Sequence, residues 1–386
     1  MEIKSENINS KNIPESRSSG LFLTVSKNNY ILLCGGNREK AFDDIWTLHF
    51  DSKEEQNNCF LKCAKWIKKT DPKKNNIFNY SARFGLVGIP VRYENNENID
   101  IYLHGGQNHF TGQFHADLYV MKLKKNEINS FTNENNSNIS ESISSESLED
   151  KFKDIEIKDY ICYDFKNLIR QPIDTNKVPC ERNSHSIAYD NKNFIYIFGG
   201  GNSSGLLNDL WEYNIEKNIF TKLNLDESKI QQREVNGMVY YKENLYIFGG
   251  RLYDSIDKKL YKINLSTLKI DDNFTTLPSS LCCFSYCLFK HYIIIYGGTD
   301  GINFLNTIYL YNIKNNKWAK SKICIGKSEV NSIFEGKISA QMCIDEESDL
   351  LLIFGGSSIH QDSNELFSIN LQQLLNENNL IQVLNN

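Results

Sequence analysis

The length, composition and charge of the chain exclude several classes of protein. The 386 residues are 40% hydrophobic and 24% charged, and the formal net charge is −5. These values are typical of a globular protein, and the negative charge argues against a general nucleic-acid binder. No apolar stretch reaches the length of about 18 residues that a membrane helix needs, and residues 1–16 lack the apolar core of a signal peptide. We therefore expect a cytoplasmic protein, with a nuclear location also open.

Six Gly-Gly pairs are spaced along the chain, and each one follows a short apolar run. The pairs are Gly35-Gly36, Gly105-Gly106, Gly199-Gly200, Gly249-Gly250, Gly297-Gly298 and Gly355-Gly356. The step is 50 residues from Gly199 to Gly249 and 48 residues from Gly249 to Gly297, which is the period of a repeat array. Such a repeat predicts a ring of similar units, with function on its rims rather than in one pocket motif.

Each repeat contains four predicted strands. A strand of small residues precedes the apolar run, as in HSIAYD from His185, and a strand of alternating apolar and polar residues follows the glycines, as in NDLWEYNI from Asn208. The last strand has an aromatic residue near its start: Trp66, Phe220, Phe274 or Trp318. The glycines end the second strand because glycine enters left-handed backbone conformations without steric cost. In the first repeat, Cys34 is predicted to replace the aromatic residue before the glycines.

The third repeat carries the resemblance to a known family. From Arg182 it reads RNSHSIAYDNKNFIYIFGGGNSSGLLNDLWEYNIEKNIFTKL, which resembles a nearly complete kelch repeat. The resemblance implies an all-β fold, a six-bladed kelch-type β-propeller with four antiparallel strands per blade. Residues 17–386 then form a single propeller after an N-terminal extension, residues 1–16. The abundance of Asn and the excess of Lys over Arg also resemble proteins of A+T-rich protozoa.

Two segments could supply the outer strand of the blade that closes the ring. We expect LIQVL, residues Leu380–Leu384, to be the outer strand of the last blade. The alternative is that EIKSENI, which begins at Glu2, supplies an outer strand to a shared blade.

Two intervals between the glycine pairs are too long for one blade. The step is 70 residues from Gly35 to Gly105 and 94 residues from Gly105 to Gly199. The first predicts an insertion within residues 51–74, and the second an insertion at about residues 126–150, between the third and fourth strands of blade 2. The second insertion is rich in Asn, Ser and Glu and poor in aromatic residues, so we expect it to be disordered.

Two groups of residues could bind a metal ion, but both have a simpler interpretation. They are Cys59 and Cys63 with His49, and the trio of His104, His109 and His115. No second cysteine pair completes the first group, and His104 stands where other repeats have a buried aromatic residue. The ten cysteines are expected to be free thiols, mostly in the core. We expect no metal and no other cofactor.

No motif of a known enzyme class is present. A nucleophile elbow, a phosphate-binding loop and a zinc-protease helix are all absent from the sequence. Asp43-Asp44 and Asn208-Asp209 recur at the same place in the repeat, which favours roles in turns and strand entry over catalysis.

The eight arginines are the most informative charged residues. Four stand at the start of predicted innermost strands: Arg17, Arg83, Arg182 and Arg233. Arg38 and Arg251 follow Gly-Gly pairs within two residues, and Arg170 lies in the connection to blade 3. Because strand direction alternates within a blade, all seven are predicted on one face of the ring. The first four have an alternative role in the kelch pattern, in which they hold blades together through backbone carbonyls.

The sequence thus favours a non-catalytic protein-interaction module or adaptor. The arginines are expected to form a basic rim that binds an acidic peptide, an acidic protein or the carboxyl terminus of a partner. Loops on the same face add five candidate contacts: His109, Phe110, Asn202, Tyr253 and His360. We expect no nucleic-acid partner and no membrane insertion, and membership of a larger complex is open. The alternative is a kelch-fold enzyme, such as a lyase, an epimerase or an oxidase, with a site in the central channel.

Overall fold

The computed structural model describes most of the chain. The described residues are 2–3, 13–50, 64–69, 82–93, 96–125, 156–157, 160–168, 177–322, 324–325 and 335–383. The predicted insertion at 126–150 and most of the segment 51–74 lie outside them, so the predicted disorder of the former stays a prediction.

Six antiparallel sheets surround a central channel as the blades of a propeller, which confirms the predicted all-β architecture. In each blade the first three strands follow one another outward from the channel. The innermost strand of every blade lies against the innermost strands of its two neighbours, and that of blade 1 lies against that of blade 6. The ring is therefore closed.

Three blades have the predicted four strands. Blade 1 contains Leu21–Ser26, Asn29–Leu33, Ile45–Phe50 and Ala64–Lys68. Blade 3 contains Ser186–Tyr189, Phe194–Phe198, Leu210–Asn214 and Ile219–Leu223. Blade 4 contains Gly237–Tyr241, Asn244–Phe248, Lys259–Asn264 and Ile270–Thr276.

Within the described residues, the other three blades have five or three strands. Blade 2 contains Val87–Tyr93, Asn96–His104, Leu118–Lys125, Tyr160–Asn167 and, at its outer edge, Glu156–Ile157. Blade 5 contains Ser285–Phe289, Tyr292–Tyr296, Ile308–Asn312, Lys317–Ser321 and Leu380–Val383. Blade 6 contains Gln341–Asp345, Leu350–Phe354 and Leu366–Asn370.

The prediction that residues 380–384 complete blade 6 is wrong. Leu380–Val383 instead pairs antiparallel with Lys317–Ser321 and forms the outer strand of blade 5. The reason lies in the short helix Leu371–Leu375 that follows the last strand of blade 6. Its side chains Leu371 and Leu374 are fully buried in the core between blades 5 and 6, so the helix leads the chain back to blade 5 through the 3₁₀ turn Glu377–Asn379.

Three short pairs of strands lie outside the blade sheets in the part of the chain that the structure describes. Near the N-terminus, Glu2–Ile3 pairs in parallel with Cys324–Ile325 and lies beside the last strand of blade 6, without joining its sheet. On the loops, Arg83–Phe84 pairs with Gln107–Asn108, and Gly201–Asn202 pairs with Gly205–Leu206.

The Gly-Gly pairs connect neighbouring blades. In blade 3 the amide of Gly200 donates to the carbonyl of Arg233 at 2.8 Å, and in blade 6 the amide of Gly356 donates to the carbonyl of Arg17 at 2.9 Å, which closes the ring. Gly355 has a φ of +67°, and an added Cβ would lie only 2.4 Å from the Arg17 carbonyl oxygen. A side chain at this position would thus clash with the next blade as well as strain the backbone.

The first repeat is displaced by one residue from the predicted alignment. Leu33 pairs with Ile45 in the same way that Phe198 pairs with Leu210. Leu33, not Cys34, therefore holds the place of the aromatic residue, and this prediction is wrong. Cys34 occupies the first glycine position with a φ of 55°, a conformation that costs a residue with a side chain more than glycine.

The hydrophobic core is divided among the six junctions between blades. Each junction has its own cluster of buried side chains, such as that of Phe248, Phe284 and Trp318 between blades 4 and 5. The innermost strands leave a central channel with a volume of about 760 Å³. Because every blade packs on two others, the ring forms a rigid frame for the loops on its two faces.

Candidate functional site

The loops after the Gly-Gly pairs lie on the same face as the connections between blades, as the strand directions predict. Each loop is bridged to the residues that precede the innermost strand of its own blade, for example Gly201 to Asn183 and Arg251 to Glu234. We call this surface the loop face.

Four of the predicted rim arginines are buried beneath the loop face. They are Arg17, Arg83, Arg182 and Arg233, each no more than 1% exposed. Each guanidinium donates to the carbonyl at the first glycine position of its own blade, at 3.0–3.1 Å. Each also faces an aspartate of its own blade: Asp44, Asp117, Asp209 or Asp257.

Blade 3 shows how such an arginine joins two blades. The Arg182 side chain binds both carboxylate oxygens of Asp209, at 2.7 and 2.8 Å, within blade 3. Its backbone carbonyl accepts from Gly106 of blade 2 at 2.9 Å, and its amide donates to the carbonyl of His115. The carbonyls of Arg17 and Arg233 likewise accept from Gly356 and Gly200 of neighbouring blades, so the alternative role in blade cohesion describes these three arginines. The predicted exposed basic rim is wrong for all four, because their charge is enclosed and neutralised.

The carboxylates of these pairs are held in the ionised form. Burial alone would raise the pKa of Asp209, but the hydrogen bonds and the charge of Arg182 hold it below its usual value. The same balance lowers the pKa of Asp44 beside Arg17. Sequence reasoning assigned Asp44 and Asp209 only to turns and strand entry, and it missed that they neutralise buried arginines. Their equal distance from Arg17 and Arg182 along the chain is a signal that could have shown it.

Arg38 and Arg251 already have intramolecular acceptors. The Arg38 guanidinium donates to the carbonyls of Ser358, Ile359 and His360 at 2.7–3.0 Å, and so ties blade 1 to blade 6. Arg251 forms an ion pair with Glu234 and is 58% exposed. Arg170 lies outside the described residues.

The other five predicted contacts are divided between exposed and structural positions. His109 and Phe110 are exposed at the tip of the blade 2 loop, and the two rings are in edge contact. His360 is 75% exposed, with Nε2 3.7 Å from Glu335. Tyr253 is 68% exposed although its hydroxyl accepts from the Leu206 amide. Asn202 is half-buried and donates to the carbonyl of Glu181, so it braces the loop.

Exposed apolar side chains mark the loop face more clearly than its charges do. Among the described residues, seven large apolar side chains stand out as exposed: Ile67, Phe110, Ile219, Tyr253, Ile302, Ile359 and Ile381. Four of them are at loop tips, three or four residues after a Gly-Gly pair: Phe110 at 74%, Tyr253 at 68%, Ile302 at 87% and Ile359 at 64%. Sequence reasoning missed Ile302 and Ile359, which a comparison of the loops position by position would have found.

Two buried histidines pack between blades 2 and 3. His104 Nδ1 lies 2.9 Å from His185 Nε2, and the two rings are perpendicular. Burial lowers the pKa of His104 to about 3 and that of His185 well below its usual value, with the nearby Arg182 charge acting in the same direction. One neutral imidazole therefore donates to the other. This confirms that His104 is a core histidine.

No metal centre is apparent in the part of the chain that the structure describes. There, no group of three or more His, Cys, Asp or Glu side chains is placed to hold an ion. His49 is bonded through Nδ1 to the Asn28 carbonyl and the Asn29 side chain, while Cys59 and Cys63 lie outside the described residues. His115 faces Asp117 at 3.5 Å, away from the loop tip that carries His109.

Fold and comparison together define the class of protein. Six antiparallel blades around a channel make the chain a β-propeller. Residues 149–334, which run from the outer part of blade 2 past the fourth strand of blade 5, match a family model described as the KLHDC2/KLHL20/DRC7 Kelch-repeats domain. The chain is thus a β-propeller with kelch repeats over residues 149–334, as the resemblance of its repeats implied. No curated protein matches it.

The family and the fold fit a protein-interaction module in general terms. Within the described residues, no helix is long and apolar enough to cross a membrane.

Proposed function

We propose that the chain is a non-catalytic protein-interaction module and that its partner docks on the loop face. The observation that carries this proposal is the set of exposed apolar loop tips, Phe110, Tyr253, Ile302 and Ile359. Exposed apolar groups in polar surroundings are typical of binding surfaces. Aromatic and aliphatic anchors supply most of the energy of such interfaces. The closed ring below supports the loops, so little conformational entropy is lost on binding.

Binding of an acidic partner stays a prediction, and fewer exposed arginines support it than the sequence suggested. Of the seven arginines that suggested it, only Arg38 and Arg251 are exposed on the described part of the loop face. Both already donate to groups of this chain, so an acidic ligand would have to compete with carbonyls at Arg38 and with Glu234 at Arg251. A cytoplasmic location and a place in a larger complex are likewise predictions from the sequence.

The enzyme alternative requires acid–base groups that converge in the channel. Among the described residues that line it, His185 and Glu346 are its histidine and its carboxylate. His185 precedes the innermost strand of blade 3 and Glu346 follows that of blade 6, which places them at opposite ends of the channel. His185 is also bonded to His104. This arrangement favours binding over catalysis.

The experiment uses the exposed apolar residues as two matched sets. The whole chain is used as bait in cells, and cross-linked proteins are quantified by mass spectrometry. The variant Phe110→Ser/Ile302→Ser/Ile359→Ser should reduce the captured amount of the specific partners at least about ten-fold, as expected when interface anchors are lost. The control Ile67→Ser/Ile219→Ser/Ile381→Ser removes three exposed isoleucine side chains from outer strands, at 47–56% exposure, and should retain the partners.

Circular dichroism and the urea midpoint show whether both variants are folded. If the outer-strand variant loses the partners and the loop-tip variant keeps them, the binding surface lies on the blade edges and the proposal is wrong.

A further inference from the structure

Three of the apolar tips lie on consecutive blades of the ring. Tyr253, Ile302 and Ile359 are the tips of blades 4, 5 and 6. The loops of blades 4 and 5 touch, because a Cβ added at Gly301 would lie 3.3 Å from Ile256 Cδ1. We call the surface of these three tips the apolar arc.

The arc continues from blade 5 to blade 6 and ends at blade 1. Gly336, in the connection to blade 6, packs directly on the Phe304 carbonyl of the blade 5 loop. Its neighbour Glu335 faces His360 of the blade 6 loop at 3.7 Å. Beyond Ile359, Arg38 donates to the Ile359 carbonyl at 3.0 Å. The three tips therefore belong to one continuous surface, which a single segment of a partner can cover.

The charges beside the apolar arc are mainly negative. Its loops are residues 251–257, 299–305 and 357–363, and the arginines at the arc are Arg251 in the blade 4 loop and Arg38 at the blade 1 end. Arg251 is neutralised by Glu234. The carboxylates at the arc that face solvent, at least in part, are Asp254, Asp300, Glu335 and Asp362. Hydrogen bonds from loop amides lower the pKa of Asp300, which keeps it ionised at neutral pH.

From this combination we infer that the apolar arc binds a protein segment in which apolar side chains are flanked by lysine or arginine. The apolar side chains cover Tyr253, Ile302 and Ile359, and the cations face Asp254, Glu335 and the neighbouring carboxylates. Complementary charge of this kind speeds encounter and selects the partner more than it adds affinity. The inference rests on the proposed docking at the loop face. The inferred partner is basic, whereas the arginines in the sequence predicted an acidic one.

A random library of displayed 12-residue peptides provides the probe. Peptides are selected on the full chain, after removal of those that bind the variant Ile302→Ser/Ile359→Ser. The selected peptides should be rich in aromatic or aliphatic residues and carry a net positive charge. Their affinity, measured by fluorescence anisotropy, should fall as salt is raised.

Two charge variants then locate the effect. Asp254→Asn/Glu335→Gln removes two carboxylates of the arc and should weaken a selected peptide about three-fold for each charge, the size expected of exposed ion pairs. The control Glu346→Gln/Glu347→Gln removes two exposed carboxylates from a hairpin on the opposite face and should leave the affinity unchanged.

Selection of acidic peptides, or of none that depend on the tips, would overturn the inference. Equal weakening by both charge variants would also overturn it, because the attraction would then come from the net charge of the whole chain. The proposed docking itself is judged separately, by the capture of cellular partners with the loop-tip variant. That capture can persist when the basic character of the partner is refuted.

Discussion

Blades 3 and 5 have opposite side-chain chemistry at equivalent positions: a charged pair in blade 3 and uncharged residues in blade 5. In blade 3, Arg182 stands four residues before the innermost strand and is fully buried and paired with Asp209. In blade 5 the corresponding residue is the fully buried Leu281, and Thr307 stands where blade 3 has Asp209. Both residues of the pair have changed together. The comparison teaches that these two blades share the backbone contact, in which the amides of Gly106 and Gly250 donate to the carbonyls of Arg182 and Leu281, whereas the group that fills the space below it is interchangeable.

Blade 6 has an ion pair at these positions, but with a lysine and a glutamate. Lys337 holds the place of the arginine, and its ammonium group lies 2.8 Å from the Glu365 carboxylate. In blade 4 the aspartate position is taken by Lys259, and Arg233 is served instead by Asp257. A cation thus occurs in this place only with an acid beside it in the described blades, as the cost of burying an unpaired charge requires.

The largest effect is expected when one half of the blade 3 pair is removed. Asp209→Thr leaves the buried Arg182 guanidinium without its carboxylate, and this should lower the free energy of unfolding by about 3–5 kcal/mol. Urea unfolding followed by circular dichroism measures it. Asp226→Thr, at a fully exposed carboxylate, is the control and should leave the urea midpoint nearly unchanged. Equal effects of the two variants would mean that the pair contributes nothing to the junction.

The next largest effect is a loss of stability at low pH, and it distinguishes a blade junction with two histidines from one with two phenylalanines. His104 and His185 stand between blades 2 and 3 where Phe248 and Phe284 are stacked between blades 4 and 5. The folded protein keeps both histidines neutral, while the unfolded chain binds protons below about pH 6.5. Stability should therefore fall as the pH drops from about 6.5 towards 3, by up to about 2 kcal/mol per histidine at pH 5.

The double variant His104→Phe/His185→Phe should remove this component. Its urea midpoint should change less between pH 7 and pH 5 than that of the parent chain. If both proteins lose stability in parallel, other groups control the acid sensitivity.

The glycine contact should matter as much in blade 5 as in blade 3. Gly297 has a φ of +67°, and an added Cβ would lie 2.4 Å from the Lys337 carbonyl oxygen. We expect Gly297→Ala to cost about 1–3 kcal/mol, although blade 5 has no ion pair below. Gly112→Ala is the control, because Gly112 has a similar φ of +69° but nothing within 4 Å of an added Cβ. The excess over this control in urea unfolding isolates the contact with the next blade, and no excess would show that the contact is unimportant.

The smallest effect on stability is expected when the charged pair of blade 3 is replaced by the uncharged residues found at the same positions in blade 5. The variant Arg182→Leu/Asp209→Thr/Trp211→Tyr copies Leu281, Thr307 and Tyr309, and it also removes the indole that donates to Asp209. Replacement of a buried ion pair by a packed apolar group is often nearly neutral, so stability should stay within about 1.5 kcal/mol of the parent. A loss as large as that of Asp209→Thr would show that blade 3 needs the pair for reasons beyond charge.

The sequence by itself determined the repeat and most of the fold. Short apolar runs that end in Gly-Gly can be recognised because strand period, glycine geometry and repeat length are local properties of the chain. The prediction of six blades, of the aromatic residues in the fourth strands and of a buried His104 followed from them and is confirmed. Cys34 and Leu33 show the limit of this reasoning, since only strand pairing reveals a displacement by one residue.

Tertiary structure alone decided where the ends of the chain go and which residues are accessible. Leu380–Val383 joins blade 5 because Leu371 and Leu374 are buried between two blades, a contact between segments that no local pattern records. Arg182 and Arg38 were both predicted from the sequence to belong to one basic rim. One is enclosed with Asp209 and the other lies on the surface against Ile359, because burial depends on what the neighbouring blade places beside each side chain.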